Sequence, residues 1–141
     1  MRTRKTAVVI LNWNGRQFLD IFLKTVVERS AGAEIWVADN CSTDDSVDFL
    51  RRNFSDVHIL QFERNLGYTG GYNRALAEIE ADYYVLLNSD IEVADGWLKP
   101  MVDIMDGNPD VAAIQPKILS FAEKGRFEYA GASGGFIDML G

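Results

Sequence analysis

Cysteine, histidine and basic residues are scarce in this chain, and each scarcity removes a class of protein. The one cysteine, Cys41, leaves no internal disulfide and suits a reducing compartment. The expected location is cytoplasmic, the inner face of the membrane included. The one histidine, His58, forbids a zinc site built from a histidine cluster. Lys and Arg number 14 against 21 Asp and Glu, a net charge of −7. Nucleic-acid affinity is carried mainly by clustered Lys and Arg, so no nucleic-acid partner is expected. Arg2, Arg4 and Lys5 form the one basic cluster, which reads as a solvated end. No apolar run approaches the roughly 20 residues of a membrane span. Met1 to Lys5 leads into an apolar stretch too short for a secretory signal. Two phosphate-binding patterns are missing as well. There is no G-x-x-x-x-G-K-[ST], and no G-x-G-x-x-G follows the first apolar run. A P-loop NTPase and a dinucleotide-dependent oxidoreductase are therefore disfavoured.

What is present is enough for one globular domain over residues 1–141, at 48% hydrophobic residues. Tyr83 to Leu87 (YYVLL) is an unbroken apolar run that stops at Asn88-Ser89-Asp90. Such a run reads as a parallel strand buried on both faces. Thr6 to Leu11 (TAVVIL) is a second, ending in Asn12-Trp13-Asn14-Gly15. Ala33 to Ala38 (AEIWVA) reads as the next strand, closing at Asp39-Asn40, and Val57 to Phe62 as another. Between them, Phe18, Leu19, Phe22, Leu23, Val26 and Val27 keep helical spacing, as do Val47, Leu50 and Phe54. Ser42 to Asp45 resembles a helix N-cap. Arg64 to Asn73 is expected as a glycine-bearing loop that runs into a helix over Arg74–Glu80. A further helix begins at Asp95-Gly96-Trp97, with Pro100 in its first turn. Val111 to Ile114 is strand-like, and Ile118 to Phe121 extends or follows it. Strands alternating with helices predict an α/β fold with a mostly parallel sheet and helices on both faces.

In such a sheet, polar strand ends collect along one edge, where open α/β folds bind ligands. Asn12 and Asn14, Asp39, and Asn88 with Asp90 are the candidates. Asp90 stands where a carboxylate can hold a metal ion, with Asn88 as a neutral helper; a simple turn is the plain alternative. Asp39 can bind a ribose or base, or can serve as an Asx turn or helix cap. Gly70 and Gly71 allow close backbone approach to a ligand, and Asn73 falls at or near a helix start that favours phosphate. A tight loop needing positive φ is the plainer alternative for the same glycines and Gly67.

Four segments in order carry a more specific signal: VVILNWNG (Val8–Gly15), IWVADNCSTDDS (Ile35–Ser46), NLGYTGGYNRAL (Asn65–Leu76) and YVLLNSDIEV (Tyr84–Val93), with GWL (Gly96–Leu98) after them. Together they resemble family 2 glycosyltransferases of the Rossmann-like GT-A fold, the branch with rhamnosyltransferase-like enzymes, over nearly the whole chain. The resemblance implies an inverting transfer of sugar from a nucleotide-sugar donor to a saccharide or lipid-linked acceptor. It implies that the first strand's end (Asn12, Asn14) and Asp39 contact the nucleotide, and that the loop with Asn65, Gly70, Gly71 and Asn73 borders the nucleotide-sugar. It also implies that Asp90, last in a DXD-type triplet, binds Mg²⁺ or Mn²⁺ on the diphosphate. Asn88 departs from the pattern, standing where many members have Asp.

Family members continue into an acceptor-binding half with an acidic catalytic base, which the resemblance would put beyond Gly141. Tyr129-Ala130-Gly131 and Gly134 to Asp138 match the pattern before that half. The expectation is an N-terminal donor-binding part that transfers no sugar alone, Asp138 and Glu128 matching no base position. Phe121, Phe127, Tyr129, Phe136, Ile137, Met139 and Leu140 load the tail with apolar surface, predicting self-association or disorder after Lys124. A nucleotide-sugar-binding module without turnover is the alternative. A flavodoxin-type signalling domain phosphorylated at Asp39 wants an acidic pair where Asn12 and Asn14 stand.

Overall fold

The computed structural model describes residues 4–128; the expectations placed on Tyr129 to Leu140 lie outside them. The chain divides into two compact units, Met1–Asp95 and Gly96–Gly141. The first contains β1 (Thr6–Asn12), α1 (Arg16–Arg29), β2 (Ala33–Asp39), α2 (Ser46–Asn53), β3 (His58–Gln61), α3 (Gly67–Glu78) and β4 (Tyr83–Asn88). All strand pairs are parallel, and the order across the sheet is β3-β2-β1-β4.

The burial pattern follows from that order. Strand β1 lies between β2 and β4, and Ala7, Val8 and Val9 are wholly buried. Alternate side chains of a strand face opposite ways. Ala7, Val9 and Ala38 pack with Tyr72 and Ala75 of α3 and with Ile79 just after it. Val8, Ile10 and Val37 point to the other side, where right-handed crossovers put α1 and α2. Helix α1 buries Leu19, Phe22, Leu23 and Val26 on one stripe; each such side chain contributes about 1.5–3 kcal/mol when fully removed from water. Phe18 sits at the stripe's margin and stays partly exposed. Gly32 then turns the chain at φ +87°, where side chains are strained. Chain direction across the sheet reverses at β1, so the switch point lies between β1 and β4, the ligand-binding position of doubly wound sheets.

The helix expected from Arg74 begins at Gly67 instead. Gly70, Gly71 and Asn73 are therefore helical, and of the glycines in this stretch only Gly67 has positive φ (+71°). The reason is packing: a Cβ on Gly71 would stand 2.6 Å from Leu11 Cδ1, so its glycine lets α3 close on β1. Strand β4, expected to be buried on both faces, is an edge strand. Tyr84 and Leu86 are 39% and 53% exposed. They share a face with Ala7 and Val9 by register, but α3 covers β1 and β2 rather than their own strand.

In the second unit, α4 spans Leu98–Gly107 with Pro100 in its first turn, as expected. Val111 to Ile114 forms no strand, because no partner pairs with it among the described residues. Leu119 and Phe127 form an antiparallel bridge. It is supported by Ser120 N donating to the Arg126 carbonyl at 2.9 Å and Glu128 N to Ile118 at 3.1 Å. Phe121 and Phe127 are exposed.

Candidate functional site

Because every strand runs the same way, Asn12, Asp39 and Asn88 all arrive at one edge of the sheet. Asn12 lies opposite Asp39, and Leu11 opposite Asn88. At the first pair, Asn12 Nδ2 donates to Asp39 Oδ1 at 2.9 Å. Ser42 Oγ donates to the same oxygen at 2.6 Å, and Ser42 N to Oδ2 at 2.9 Å. Both Asn12 and Asp39 are 0% exposed. Asp39 thus has the turn-forming role that was one of its two expected readings, at the floor of the site.

Asn14 adopts φ +51°, a conformation Asn tolerates better than most residues. Its Oδ1 accepts from Thr43 N at 2.7 Å and Asp44 N at 3.3 Å, joining the loop after β1 to the loop after β2. Asp44 strengthens that joint by accepting from Arg16 N at 3.1 Å and Ser46 N at 3.0 Å. Burial works to raise the Asp44 carboxyl, yet the Ser46 and Arg16 hydrogen bonds outweigh it and hold the group below its usual range.

Asn65 is fastened to the end of β2 by a residue not singled out from sequence. Asn40, buried next to Asp39, donates through Nδ2 to Asn65 Oδ1 and to the Gly67 carbonyl, each at 3.0 Å. Its Oδ1 accepts from Leu66 N at 2.8 Å. Asn73, by contrast, lies on the exposed side of α3's second turn, away from the free N–H groups of the helix start. Gly71 serves helix packing here, as described above, while Gly70 has only Leu66 Cβ nearby.

At the end of β4, Asn88 and Asp90 are both exposed. Two tyrosines of α3 reach this strand end. Tyr72 Oη donates to the Leu87 carbonyl at 3.0 Å, and Tyr68 Oη lies 3.4 Å from Asn88 Oδ1. Burial pushes the Tyr72 hydroxyl well above the usual phenol range. Helical spacing (68, 72) was the sequence signal for this pair, hidden while the stretch was read as a loop. The turns after β1 and β4 also meet: a Cβ on Gly15 would press on Asn12 Oδ1 and stand 3.6 Å from Ser89 Oγ. Asn12 Oδ1 is buried without a hydrogen-bond partner, although buried acceptors are nearly always paired. Beyond Asp90, Arg29 pins the chain by donating to the Val93 carbonyl at 2.6 Å and pairing with Asp95 at 2.7 Å.

Among the described residues, no three His, Cys, Asp or Glu side chains gather into a metal cage. An exposed Asp90 carboxylate fits a cation that takes most of its oxygens from a diphosphate and water, as Mg²⁺ commonly does. No described helix is long and apolar enough to cross a membrane.

A parallel doubly wound sheet with polar strand ends around its switch point defines a Rossmann-like fold. The chain belongs to glycosyl transferase family 2, whose sequence pattern matches residues 7–136. A Bacillus subtilis (strain 168) protein named for a glycosyltransferase of teichuronic acid biosynthesis, TuaG, is 27% identical over 101 residues, covering 69% of this chain and 38% of that protein. Solved structures share the GT-A fold. TarS 1–349 of S. aureus in complex with UDP-GlcNAc superposes with TM-score 0.65 at 20% identity, over 82% of this chain and 38% of that one. The mannosyltransferase PcManGT of Pyrobaculum calidifontis, in complex with GDP-Man and Mn²⁺, gives 0.69 at 19% identity, over 82% and 37%. The chain therefore spans about two fifths of the length of these relatives.

Proposed function

We propose that this chain forms the donor half of an inverting glycosyltransferase, which passes a sugar from a nucleotide-sugar to a saccharide or lipid-linked acceptor. The observation that carries the reading is the β1/β4 switch point. There Asn12, Gly15 and Ser89 converge, with Asn88 and Asp90 at the adjoining strand end. Family membership supports it, as do the UDP-GlcNAc and GDP-Man complexes of the fold neighbours.

In the proposed site, Asn12 and Asp39 form the floor under the nucleotide, with Asn14 holding the neighbouring loops. Asn65 and the first turns of α3, including Gly70 and Gly71, wall the nucleotide-sugar, and Asn73 stands at the outer end of that wall. Asn88 and Asp90 face the diphosphate, Asp90 holding Mg²⁺ or Mn²⁺. A cation bound there supplies stabilisation of charge on the departing diphosphate. The acceptor hydroxyl oxygen bonds to the anomeric carbon as the carbon–oxygen bond to the diphosphate breaks, inverting configuration. The hydroxyl proton goes to a base, the electron pair to the nucleoside diphosphate. None of the described residues is assigned as that base, which belongs to the acceptor-binding half. Self-association through the apolar C-terminal tail is part of the same reading, supported by the exposed Phe121 and Phe127 and checked by sedimentation.

Calorimetry with UDP and GDP, with and without Mn²⁺, tests the reading. Mn²⁺-dependent binding that is lost in Asp90→Ala, with the fold intact, is the expected result. Binding by Asp90→Ala equal to the parent's would sink the metal assignment. Binding together with sugar transfer to an acceptor by the chain alone would show the base to be within it.

A further inference from the structure

Tyr68 is 65% exposed, yet its hydroxyl points at the side chain of Asn88. Its ring stands edge-on to Tyr72, centroids 5.1 Å apart, and Tyr72 is anchored on the Leu87 carbonyl at 3.0 Å. Tyrosines one helical turn apart therefore grip successive residues of β4, one by its backbone and the next by its side chain. A phenylalanine at position 68 would keep the ring contact. The hydroxyl adds the approach to Asn88 Oδ1, at 3.4 Å, beside its hydrogen bond with the Tyr72 hydroxyl.

A side-chain amide has an accepting end and a donating end. With Oδ1 turned to Tyr68, the N–H₂ group of Asn88 faces elsewhere, and no described residue accepts from it. Asp90 follows two residues later at the same strand end. A carbonyl oxygen turned toward that carboxylate and toward an anionic ligand would meet like charge, whereas N–H bonds would be attracted. Charge thus favours the orientation that Tyr68 selects.

Building on the donor-site reading, we propose that Tyr68 is a positioning residue that makes Asn88 a hydrogen-bond donor to an anionic oxygen of the nucleoside diphosphate. Asp90 is then the sole ligand to the cation from this strand end. The Tyr68–Asn88 separation is long for an O–H···O bond, and hydrogen bonds of functional sites tighten when the site fills. The exchange of Asp for Asn at position 88 removes one negative charge from beside the diphosphate. It also divides the labour, with position 88 for phosphate and position 90 for metal.

The test titrates UDP and GDP into the full chain at saturating Mn²⁺, for Tyr68→Phe, Asn88→Ala and the double variant. Mn²⁺ uptake with and without nucleotide is followed in parallel by the electron paramagnetic resonance of the free ion. Asn88→Ala should weaken nucleotide binding about tenfold, as expected for loss of a hydrogen bond to a charged group. Tyr68→Phe should weaken it about threefold, and the double variant no further than Asn88→Ala, because coupled residues are non-additive. The Mn²⁺ dependence should be the parent's in all three. Asn88→Asp should bind Mn²⁺ without nucleotide more tightly than the parent does. Additive losses, an unchanged Tyr68→Phe, or a shifted Mn²⁺ dependence in Asn88→Ala would overturn the proposal while leaving the donor site standing. A parent chain that takes up neither UDP nor GDP with Mn²⁺ would overturn the donor-site reading, and this inference with it. Both side chains are exposed, so circular dichroism should show all variants folded.

Discussion

Asn12 and Asp39, neighbours across β1 and β2, are joined by a 2.9 Å hydrogen bond between two fully buried side chains. The bond ties the ends of β1 and β2 together, and the carboxylate also holds Ser42 by side chain and backbone. Asp39→Ala would leave Asn12 Nδ2 and Ser42 N without this acceptor. Asn12 Nδ2 keeps Ser42 Oγ at 3.2 Å, but hydrogen bonds to a charged acceptor are worth about 1.5–3 kcal/mol, so urea unfolding should show a loss of that order. In the donor-site reading, nucleotide affinity should fall as well, by roughly one to two orders of magnitude. A melting temperature that falls with affinity unchanged would make Asp39 purely structural.

The two adjacent glycines of α3 should respond unequally to alanine. Helix propensity favours Ala over Gly by about 1 kcal/mol. At Gly70 the added Cβ meets only Leu66 Cβ, at 3.2 Å, but at Gly71 it meets both Leu11 methyls, at 2.6 and 3.0 Å. Gly71→Ala should therefore be less stable than Gly70→Ala, with overpacking costing about 1–3 kcal/mol. Thermal melts of the two variants decide it; equal melting temperatures would mean that α3 does not close on β1 as described.

Tyr72→Phe removes the buried hydroxyl that donates to Leu87 while keeping the ring. The expected loss is about 0.5–1.5 kcal/mol. Hydrogen exchange should report faster opening at the end of β4 than at β1. Uniform acceleration over the sheet would show that the bond supports the whole core instead.

Acid should loosen the joint between the loops after β1 and β2. Asp44 has its folded carboxyl value lowered, so its contribution is complete above the free-chain value of about 3.9. It is lost as pH falls through the lower folded value. In Asp44→Asn, stability should depend less on pH below about 4 than in the parent. Parallel pH profiles for the two proteins would show that Asp44 contributes nothing to acid sensitivity.

Arg29, in the last turn of α1, holds the segment after Asp90 through Val93 and Asp95. Arg29→Met keeps much of the apolar stem and removes both of these bonds together with the ion pair to Glu92 at 3.8 Å. Hydrogen exchange near Val93 should accelerate while the sheet core stays protected. Unchanged exchange there would show that the segment is held by packing alone.

Much of this was legible in the residues themselves. The unbroken run at Thr6–Leu11 and the β-branched and aromatic stretch at Ala33–Ala38 fixed strands, because such apolar stretches have no favourable place except a buried one. Their alternation with helical spacing fixed a parallel sheet, and hence that Asn12, Asp39 and Asn88 would share an edge. Local pattern could not decide which strand lay at the edge. Tyr83–Leu87 is as apolar as the others, but its exposure depends on strand order and on where α3 crosses the sheet. Nor could it decide that the Gly67–Asn73 stretch is helical. Glycine is a poor helix former by propensity, and only the approach of α3 to Leu11 favours a bare Cα at position 71. The polar contacts of Asn40 with Asn65, and of Tyr68 with Asn88, join residues 25 and 20 positions apart. Such pairs exist only once the strands have brought their ends together, so the folded sheet, rather than any local stretch of sequence, decided them.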